Sequence, residues 1–450
     1  MIRSWDNHWW AVVLVGILIS PCESARAADK KPNFLVILSD DVGWAEYGFQ
    51  GGKDIPTPHI DSIAKHGVRF AQGYVSGPYC SPTRAGLMTG RYQTRFGHEF
   101  NSVAQRSGLK LTEKTIAERL KPLGYSTCAV GKWHLGAGAE YRPLKRGFDE
   151  FFGTLANTPY YHPTQFVDSR VSPDVQAVPD DSFYTTDAYG DRVVDWLGKQ
   201  QDQPWFMYVP FNAQHGPLQA PQKYLDRFPQ IQDEKRKTFA AVMSAMDDAI
   251  GRVLGKIREM GEEENTVIVF FSDNGGPTAQ TTSSNLPLRG SKATTWEGGV
   301  RVPFCMQWKG KIPADKTYES PIIQLDLLPT FLAAAGAEIN PEWKLDGVNL
   351  LPYLTGEKAG QPHETLYWRF GQQWAIRHGN MKLVVARGGG AEPELYNLTS
   401  DASESKNLAG EQPDKVKELL ALYEKWNAEQ EPASSPQEPA AKKKKKKAAM

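Results

Sequence analysis

The sequence predicts an α/β fold, in which a large, mostly parallel mixed sheet is flanked by helices. Two apolar runs, Asn33–Leu38 (NFLVIL) and Thr266–Phe271 (TVIVFF), are continuous rather than alternating, as expected for central strands that are buried on both faces. Between these runs, strand and helix patterns alternate along the chain, which is typical of α/β domains. A smaller C-terminal α+β unit, with antiparallel strands and a helix, is predicted to follow.

Composition places the chain among ordinary globular proteins. Its 450 residues are 40% hydrophobic and 23% charged, and the formal net charge is zero. This length allows a large core and more than one structural unit. A neutral chain has no general attraction to nucleic acid or to an acidic membrane surface, so we expect no nucleic-acid partner. No repeat with a period of about 20–50 residues is visible.

The first residues, 1–27, have the pattern of a secretory signal peptide. Arg3 precedes the short apolar run Ala11–Ile19, and Ala25–Ala27 fits a small-residue cleavage site. The run is too short to favour a stable membrane span, although an uncleaved anchor, or a lipid anchor at Cys22, is the alternative. We therefore expect an exported protein, which in a bacterium would be periplasmic or extracellular.

The large α/β domain is predicted to span residues 30–337. Phe239–Met260 has apolar residues at helical spacing. Pro58 lies near the start of a predicted helix that ends at Lys65, and Thr112 is predicted to cap a helix that runs to about Lys121. Two more short strands are predicted inside this domain, Thr127–Val130 and Phe206–Pro210.

The small C-terminal unit is predicted to span residues 338–430, with a helix at about 414–429. Its predicted strands are Thr365–Arg369, Gln373–Arg377 and Lys382–Ala386. The remaining residues, 431–450, contain the lysine run Lys442–Lys447 and too little apolar surface to fold, so we expect a disordered, solvated tail. Contact with anionic polymers is the alternative for this tail.

Polar residues follow both of the long buried strands. Asp40 and Asp41 come soon after the first strand, and Asp273 and Asn274 come soon after the second. In open α/β sheets the functional crevice lies beyond the carboxyl ends of the strands, so these side chains could meet in one site.

One cysteine has an unusual setting. Loss of the signal peptide would leave three cysteines, an odd number, so at least one is outside an intramolecular disulfide. Cys128 and Cys305 lie in apolar strand patterns and are predicted to be core residues. Cys80 instead precedes a predicted helix start, in which Ser81 would be the N-cap and Pro82 the first helical residue.

The start of this helix is predicted to attract anions. Its free N–H groups, its dipole and the charge of Arg84 would all favour an anion beside Cys80. Taken alone, an inert cysteine before an ordinary helix is an equally good interpretation.

The stretch CSPTRAGLMTGR, from Cys80 to Arg91, resembles the signature of the type I sulfatases, which have the alkaline-phosphatase-like fold. In that family C-x-P-x-R directs oxidation of the cysteine to formylglycine by a formylglycine-generating enzyme. The resemblance implies that Cys80 becomes an aldehyde, whose hydrate is the nucleophile. The chain resembles the arylsulfatase and N-acetylgalactosamine-6-sulfatase branch of this family, which leaves the sugar and the sulfated carbon open.

The resemblance also implies one bound divalent cation, Ca²⁺. Its ligands would be Asp40, Asp41, Asp273 and Asn274, together with residue 80. Carboxylate and amide oxygens are hard ligands that suit Ca²⁺, and three carboxylates close together would repel one another without a cation.

Further stretches match the family in order. GKWHLG carries Lys132 and His134, NAQHGP carries His215, and RGSKATTWEGGVRVP carries Lys292. The segment Glu394–Ala409 resembles the family's C-terminal part. Each histidine or lysine taken singly could be structural or solvated, but all these stretches follow predicted strands or lie in loops. The implied catalytic residues are Cys80, Arg84, Lys132, His134, His215 and Lys292, and those implied to bind substrate are Lys132, His215 and Lys292.

The implied reaction is hydrolysis of a sulfate monoester, of either a sulfated carbohydrate or an aryl sulfate. His215 and Lys292 are the candidates to protonate the leaving oxygen, and His134 to remove the proton that allows sulfate to depart. A phosphate or phosphonate ester hydrolase of the same superfamily is one alternative, and a non-catalytic sulfated-glycan-binding protein is another. Aromatic and histidine side chains in two loops could line a sugar subsite or could simply pack there: His98, Tyr160, Tyr161 and His162.

Overall fold

A nine-stranded sheet lies at the centre of the computed structural model, which describes residues 1–2, 5, 30–178, 182–390 and 392–432. The strands of the described chain are β1 Asn33–Ser39, β2 Val68–Phe70, β3 Gly73–Tyr74, β4 Ser126–Lys132, β5 Glu150–Thr154, β6 Phe166–Asp168, β7 Trp205–Pro210, β8 Thr266–Ser272, β9 Phe304–Gln307, β10 Lys316–Tyr318, β11 Ile322–Ile323, β12 Thr365–Phe370, β13 Gln373–His378, β14 Met381–Val385 and β15 Glu394–Asn397. The large sheet has the order β10-β2-β9-β8-β1-β7-β4-β5-β6.

Helices cover both faces of this sheet. The α-helices are α1 Pro58–Lys65, α2 Cys80–Thr89, α3 Asn101–Arg106, α4 Ile116–Leu120, α5 Thr185–Leu197, α6 Gln222–Leu225, α7 Glu234–Glu259, α8 Thr278–Thr281, α9 Glu297–Val300, α10 Leu327–Ala334, α11 Leu351–Leu354 and α12 Pro413–Asn427. Short 3₁₀ helices lie at Gly48–Gln50, Gln93–Phe96, Lys121–Leu123, Ala139–Tyr141, Pro143–Lys145, Gln324–Asp326 and Pro341–Trp343.

The mixed, mostly parallel sheet predicted from the sequence is confirmed. Strands β8, β1, β7, β4 and β5 are neighbours and run parallel, while β9 and β6 run antiparallel to the strands beside them. Every residue of β1 is buried. Leu35 and Ile37 pack with α1, α5 and α7 on one face, and Val36 and Leu38 pack with α2, α4 and α10 on the other. Burial on two faces is therefore why β1 reads as an unbroken apolar run.

The long helix α7 confirms the helical spacing seen in the sequence, but it starts five residues earlier than predicted. Asp233 is its N-cap, and the Asp233 side chain accepts a hydrogen bond from the Arg236 N–H. The predicted cap at Thr112 is wrong. Helix α4 starts after Thr115, where Thr115 and Glu118 form a reciprocal capping box, because that arrangement satisfies two otherwise free N–H groups.

The C-terminal part of the chain contains a four-stranded antiparallel sheet, β12-β13-β14-β15, with α12 packed on it. Stacked rings join the helix to the sheet, with 4.3 Å between the ring centroids of Trp374 and Tyr423. The sheet also contacts the chain directly after β3, since the Trp368 indole donates a 2.8 Å hydrogen bond to the Val75 carbonyl. This confirms the predicted small α+β unit.

The described residues from Lys31 onward belong to one compact unit, and the domain boundary near residue 338 stays a prediction. The predicted signal peptide and lysine-rich tail lie outside the described residues, apart from a few positions at their ends. Among the residues that the structure describes, no helix is both long enough and apolar enough to cross a membrane.

Candidate active site

Four adjacent parallel strands deliver polar side chains to one edge of the large sheet. Asp40 follows β1, Asp273 follows β8, Lys132 is the last residue of β4, and His215 lies shortly after β7. The strands stand in the order β8-β1-β7-β4, so their carboxyl ends are side by side. The crevice expected beyond the strand ends of an α/β sheet is therefore present here.

The predicted metal ligands lie together at this edge. Potential ligand atoms of Asp40, Asp41, Cys80 and Asp273 all lie within 4.8 Å of one another, and all four residues are buried. Asp41 has a positive φ of 68°, which turns the chain sharply after β1. The Asn274 amide donates a 2.8 Å hydrogen bond to Asp41 Oδ1.

These residues fit a hard divalent cation. Asn274 Oδ1 is buried and has no hydrogen-bond partner among the described residues, and a buried carbonyl oxygen without a partner is costly. A cation beside it would satisfy this oxygen and would offset the repulsion among three buried carboxylates. The ligand set is rich in oxygen, which favours Ca²⁺ or Mg²⁺ over softer metals.

Three cationic side chains surround the carboxylates. Arg84 Nη2 is 2.8 Å from Asp273 Oδ2, Lys132 Nζ contacts Asp40 Oδ2, and Lys292 Nζ is 2.6 Å from Asp41 Oδ1. Arg84 and Lys132 are fully buried, while Lys292 is 10% exposed. Buried charges are costly unless they are paired, and each of these three cations is paired with a carboxylate of the cluster.

This environment shifts the carboxyl groups in opposite directions. Burial disfavours the Asp40 carboxylate, but Lys132, His215 and Arg84 outweigh it and hold the pKa of Asp40 well below its usual range. Burial, together with the neighbouring Asp40 charge, raises the pKa of Asp273. A divalent cation in contact with Asp273 would oppose that rise and keep it ionised.

Cys80 is the first residue of α2 and is fully buried. Its Sγ lies 3.5 Å from Asp40 Oδ1 and 3.9 Å from Asp41 Oδ1. Burial raises the pKa of the Cys80 thiol well above its ordinary value. An unmodified cysteine here is therefore a neutral thiol beside carboxylates, which is a poor setting for a thiolate nucleophile.

The predicted cap of α2 is wrong by two residues. Tyr79, with extended backbone angles, holds the N-cap position, and Pro82 is the third helical residue. Ser81 Oγ instead lies 2.6 Å from His98 Nε2 and donates a 2.7 Å hydrogen bond to the His134 carbonyl. Pro82 still falls in the first turn, where no intrahelical N–H bond is lost.

The two site histidines occupy different environments. His134 is buried, has a positive φ of 58°, and its Nδ1 has no partner among the described residues. His215 has a 19% exposed side chain, with Nε2 3.8 Å from Asp41 Oδ2. Its Nδ1 is 2.6 Å from the Gly216 carbonyl, so Nδ1 must carry a proton. Burial is the main cause that lowers the pKa of both rings.

A cleft of about 770 Å³ opens from the site to solvent, with His215 and Lys292 among its walls. Its other walls are Tyr79, Asn157, Pro277, Thr278, Ala279, Gln280, Gly290, Ser291, Ala293 and Arg387. Tyr79 presents its ring 5.1 Å from Lys292 Nζ. The sequence did not single out Gln280 or Arg387, because lone polar residues in irregular segments carry no spacing signal.

For two of the four residues that could line a sugar subsite, the structure favours the packing alternative. His98 and Tyr160 are fully buried, and the Tyr160 hydroxyl lies 3.2 and 3.1 Å from the carbonyls of Asn212 and His215. Tyr160 thus supports the His215 loop from inside. Tyr161 packs against Tyr184, 5.2 Å between ring centroids, and His162 is exposed, but neither is among the cleft walls.

Comparison with known proteins identifies the class. The sulfatase family matches residues 32–337, and the N-sulphoglucosamine sulphohydrolase C-terminal family matches residues 291–430. The chain belongs to the sulfatase family, and its relatives include proteins named as sulfatases. The predicted family, fold class and enzyme class are thereby confirmed.

Individual relatives agree with this placement. Arylsulfatase J of Mus musculus is 32% identical over 92% of this chain and 79% of its own length. N-acetylgalactosamine-6-sulfatase of Sus scrofa is 32% identical over 83% of this chain and 75% of its own length. The crystal structure of Ps i-CgsB in complex with k-i-k-neocarrahexaose superposes with a TM-score of 0.82 at 33% identity, covering 90% of this chain and 94% of that one. The roles of single site residues stay predictions.

Proposed function

We propose that the protein hydrolyses the sulfate ester of a sulfated carbohydrate, with residue 80 as formylglycine and Ca²⁺ in the acidic cluster. One observation carries the proposal. Cys80 at the start of α2 lies within reach of three buried carboxylates, and Arg84, Lys132 and Lys292 surround that cluster. The site thus combines carboxylates that can bind a hard metal ion with positively charged side chains that can bind an anion.

The metal ion, the formylglycine and the surrounding side chains would each have a different role in the reaction. When bound, the cation would neutralise negative charge at the sulfuryl group, and the hydrated aldehyde would supply an oxygen nucleophile. Arg84, tied to Asp273 and to the Lys132 carbonyl (2.7 Å), holds the start of α2 at the strand ends. Lys132 and Lys292 supply positive charge for a sulfuryl group that enters from the cleft.

Proton transfer is assigned to the histidines. His215 and Lys292 both line the cleft, and we take them as the candidates to protonate the leaving oxygen of an ester bound there. His134 is buried beneath α2, with its backbone carbonyl bonded to Ser81. The family resemblance makes His134 the candidate base for the step that releases sulfate, and its Nδ1 has no partner among the described residues.

A sulfated carbohydrate is the substrate class that the relatives favour. N-acetylgalactosamine-6-sulfatase is named for a sulfated sugar, and Ps i-CgsB was crystallised with k-i-k-neocarrahexaose. The cleft of this chain is large enough for a sugar ring and a neighbour. We include export in the proposal, with a mature chain that starts near Ala28, on the basis of the signal pattern.

The decisive experiment compares the fraction of residue 80 that is modified with the sulfatase activity of the same preparation. The protein is produced with and without a formylglycine-generating enzyme, and the residue-80 peptide and the mature N-terminus are identified by mass spectrometry. We expect kcat on sulfated mono- and disaccharides to scale with the modified fraction, and Cys80→Ala to be inactive. Full activity with unmodified cysteine would refute the nucleophile. Faster turnover of an aryl phosphate than of an aryl sulfate would favour a phosphate ester hydrolase instead.

A further inference from the structure

The cleft wall contains a second cation, Arg387, that the proposed chemistry does not use. Arg387 lies in the loop between β14 and β15 and lines the same cleft as His215 and Lys292. Its side chain is exposed and makes no ion pair within the described part of the chain. Thus the loop after β14 contributes to the cleft an arginine that has no ion pair among the described residues, whereas the candidate active site lies at the strand ends of the large sheet.

The backbone at Arg387 is nevertheless held firmly against the Lys292 loop. Gln373 Oε1 accepts a 2.8 Å hydrogen bond from the Arg387 N–H, and Gln373 Nε2 donates a 3.0 Å bond to the Ala293 carbonyl. The Trp296 indole donates a 3.3 Å bond to the Arg387 carbonyl. Gln373 and Trp296 therefore hold the two cationic loops at a fixed spacing.

The charge of the cleft wall is entirely of one sign. Its lining includes Lys292, Arg387 and the titratable His215, but no Asp or Glu, although the whole chain has no net charge. Other partly exposed arginines differ in this respect: Arg227 pairs with Asp248 at 2.7 Å and Arg170 pairs with Asp195, whereas Arg69 donates to the Thr317 hydroxyl. Lys292 and His215 lie near Asp41, whereas Arg387 has no ion pair among the described residues, so its charge is suited to an anion that comes with the ligand.

Resting on the proposed function, we propose that Arg387 binds a second anionic group of the substrate, on the sugar next to the one that is desulfated. The guanidinium fork matches a sulfate ester or a carboxylate with two parallel hydrogen bonds. The favoured substrates are then oligosaccharides with at least two anionic groups. Arg387 would set specificity without taking part in bond cleavage.

The test uses three disaccharides with the same sulfated sugar. The neighbouring sugar is neutral in the first, carries a second sulfate in the second, and is a uronic acid in the third. The measured quantity is kcat/KM for each charged disaccharide divided by kcat/KM for the neutral one. We expect Arg387→Ala to lower this ratio about tenfold, Arg387→Lys to lower it less, and added salt to weaken the preference.

Arg258→Ala is the matched control. Arg258 is also exposed and lies near the end of α7, before β8 begins, whereas the site lies beyond the end of β8. It should keep the wild-type ratio. The disaccharide whose ratio falls in Arg387→Ala identifies the second anion as sulfate or carboxylate. An unchanged ratio for both disaccharides would overturn the proposal, as would a wild-type enzyme that prefers the neutral disaccharide.

Failure of the proposed function is recognised separately. If the wild-type protein, with residue 80 modified, hydrolyses none of the three disaccharides, the sulfatase proposal fails. The dissociation constants of the same disaccharides, measured by calorimetry with wild type and Arg387→Ala, then decide the role of Arg387 without turnover. A tenfold weaker binding confined to the charged disaccharides supports it, and equal binding refutes it.

Discussion

Arg84 and Asp273 are 189 positions apart in the chain, yet Nε and Nη2 of the guanidinium lie 3.2 and 2.8 Å from the same carboxylate oxygen. Both side chains are fully buried. A third bond, from Arg84 Nη1 to the Lys132 carbonyl, is 2.7 Å long. One side chain therefore fixes the start of α2 against the ends of β8 and β4.

This relationship predicts that Arg84→Lys is severely impaired. A lysine keeps the charge but cannot make the three bonds at once, and buried groups left without partners are costly. We expect a loss of unfolding free energy of about 2 kcal/mol and a fall in kcat/KM of at least about 100-fold. Urea unfolding and steady-state kinetics provide the measurements.

Arg95→Lys is the control for that change. Arg95 makes a similar forked contact with Asp346, but its side chain is 20% exposed and lies outside the candidate site. Its replacement should cost less than about 1 kcal/mol and leave kcat/KM near the wild-type value. Equal kinetic losses in the two variants would show that Arg84 has no special role at the site.

The acidic cluster predicts calcium-dependent stability and activity. Chelation should abolish turnover and lower Tm, and Ca²⁺ should restore both; at about 100 times the dissociation constant the ion adds about 2.7 kcal/mol to the unfolding free energy. Asp273→Asn and Asn274→Ala should lose most of this Ca²⁺-dependent gain. Asp54→Asn, which removes an exposed partner of Arg236, should keep it. Zinc or iron at one equivalent in active protein, found by elemental analysis, would contradict the assignment to a hard cation.

A buried carboxyl far from the candidate site predicts a pH effect on stability. Asp247 on α7 accepts hydrogen bonds from the N–H groups of His59 and Ile60, 3.2 and 2.8 Å long, at the start of α1. Thr57, the N-cap of α1, makes no capping bond of its own. Burial raises the pKa of Asp247 to about 7 although these two bonds lower it.

The sign of the effect follows from proton counting. Between the unfolded pKa of Asp247, about 4, and its folded pKa, about 7, the folded state holds one proton more than the unfolded state. Asp247 therefore makes stability fall as pH rises through this window, by up to about 1.4 kcal/mol per pH unit. Asp247→Asn does not titrate, so its Tm relative to wild type should rise between pH 4.5 and 7.5. A Tm difference that is independent of pH would disprove the shift.

The central strands and the grouping of the site were predictable from the sequence because their causes are local. Burial on two faces makes β1 and β8 continuous apolar runs, and the adjacency of parallel strand ends brings Asp40 and Asp273 together. The start of α4 also has a local signal, since Thr115 and Glu118 have capping-box spacing, whereas Thr112 is not the cap.

Other features depend on contacts that leave no local pattern. Strands β2 and β10 have only three residues each, too few to show a period. Ser81 was expected to cap α2, but its hydroxyl is occupied by His98 and the His134 carbonyl. Arg387 lines the cleft from a loop that Gln373 and Trp296 hold against the Lys292 loop.

The final prediction separates the two site histidines by the leaving group of the substrate. His215 lies at the cleft, where it would protonate the departing alcohol, so its loss should matter most for poor leaving groups. For His215→Ala we expect kcat/KM to fall about 1000-fold on a sugar sulfate and only about 10-fold on nitrophenyl sulfate. His134 is assigned to a step after the alcohol has left. For His134→Ala, kcat should therefore be equally low for both substrates, with a nitrophenol burst of about one per active site before slow turnover.

His59→Ala, on the exposed side of α1, is the control and should show neither effect. Stopped-flow release of nitrophenol and steady-state kinetics on the sugar sulfate distinguish the outcomes: a burst in His215→Ala and leaving-group sensitivity in His134→Ala would mean that the two roles are exchanged.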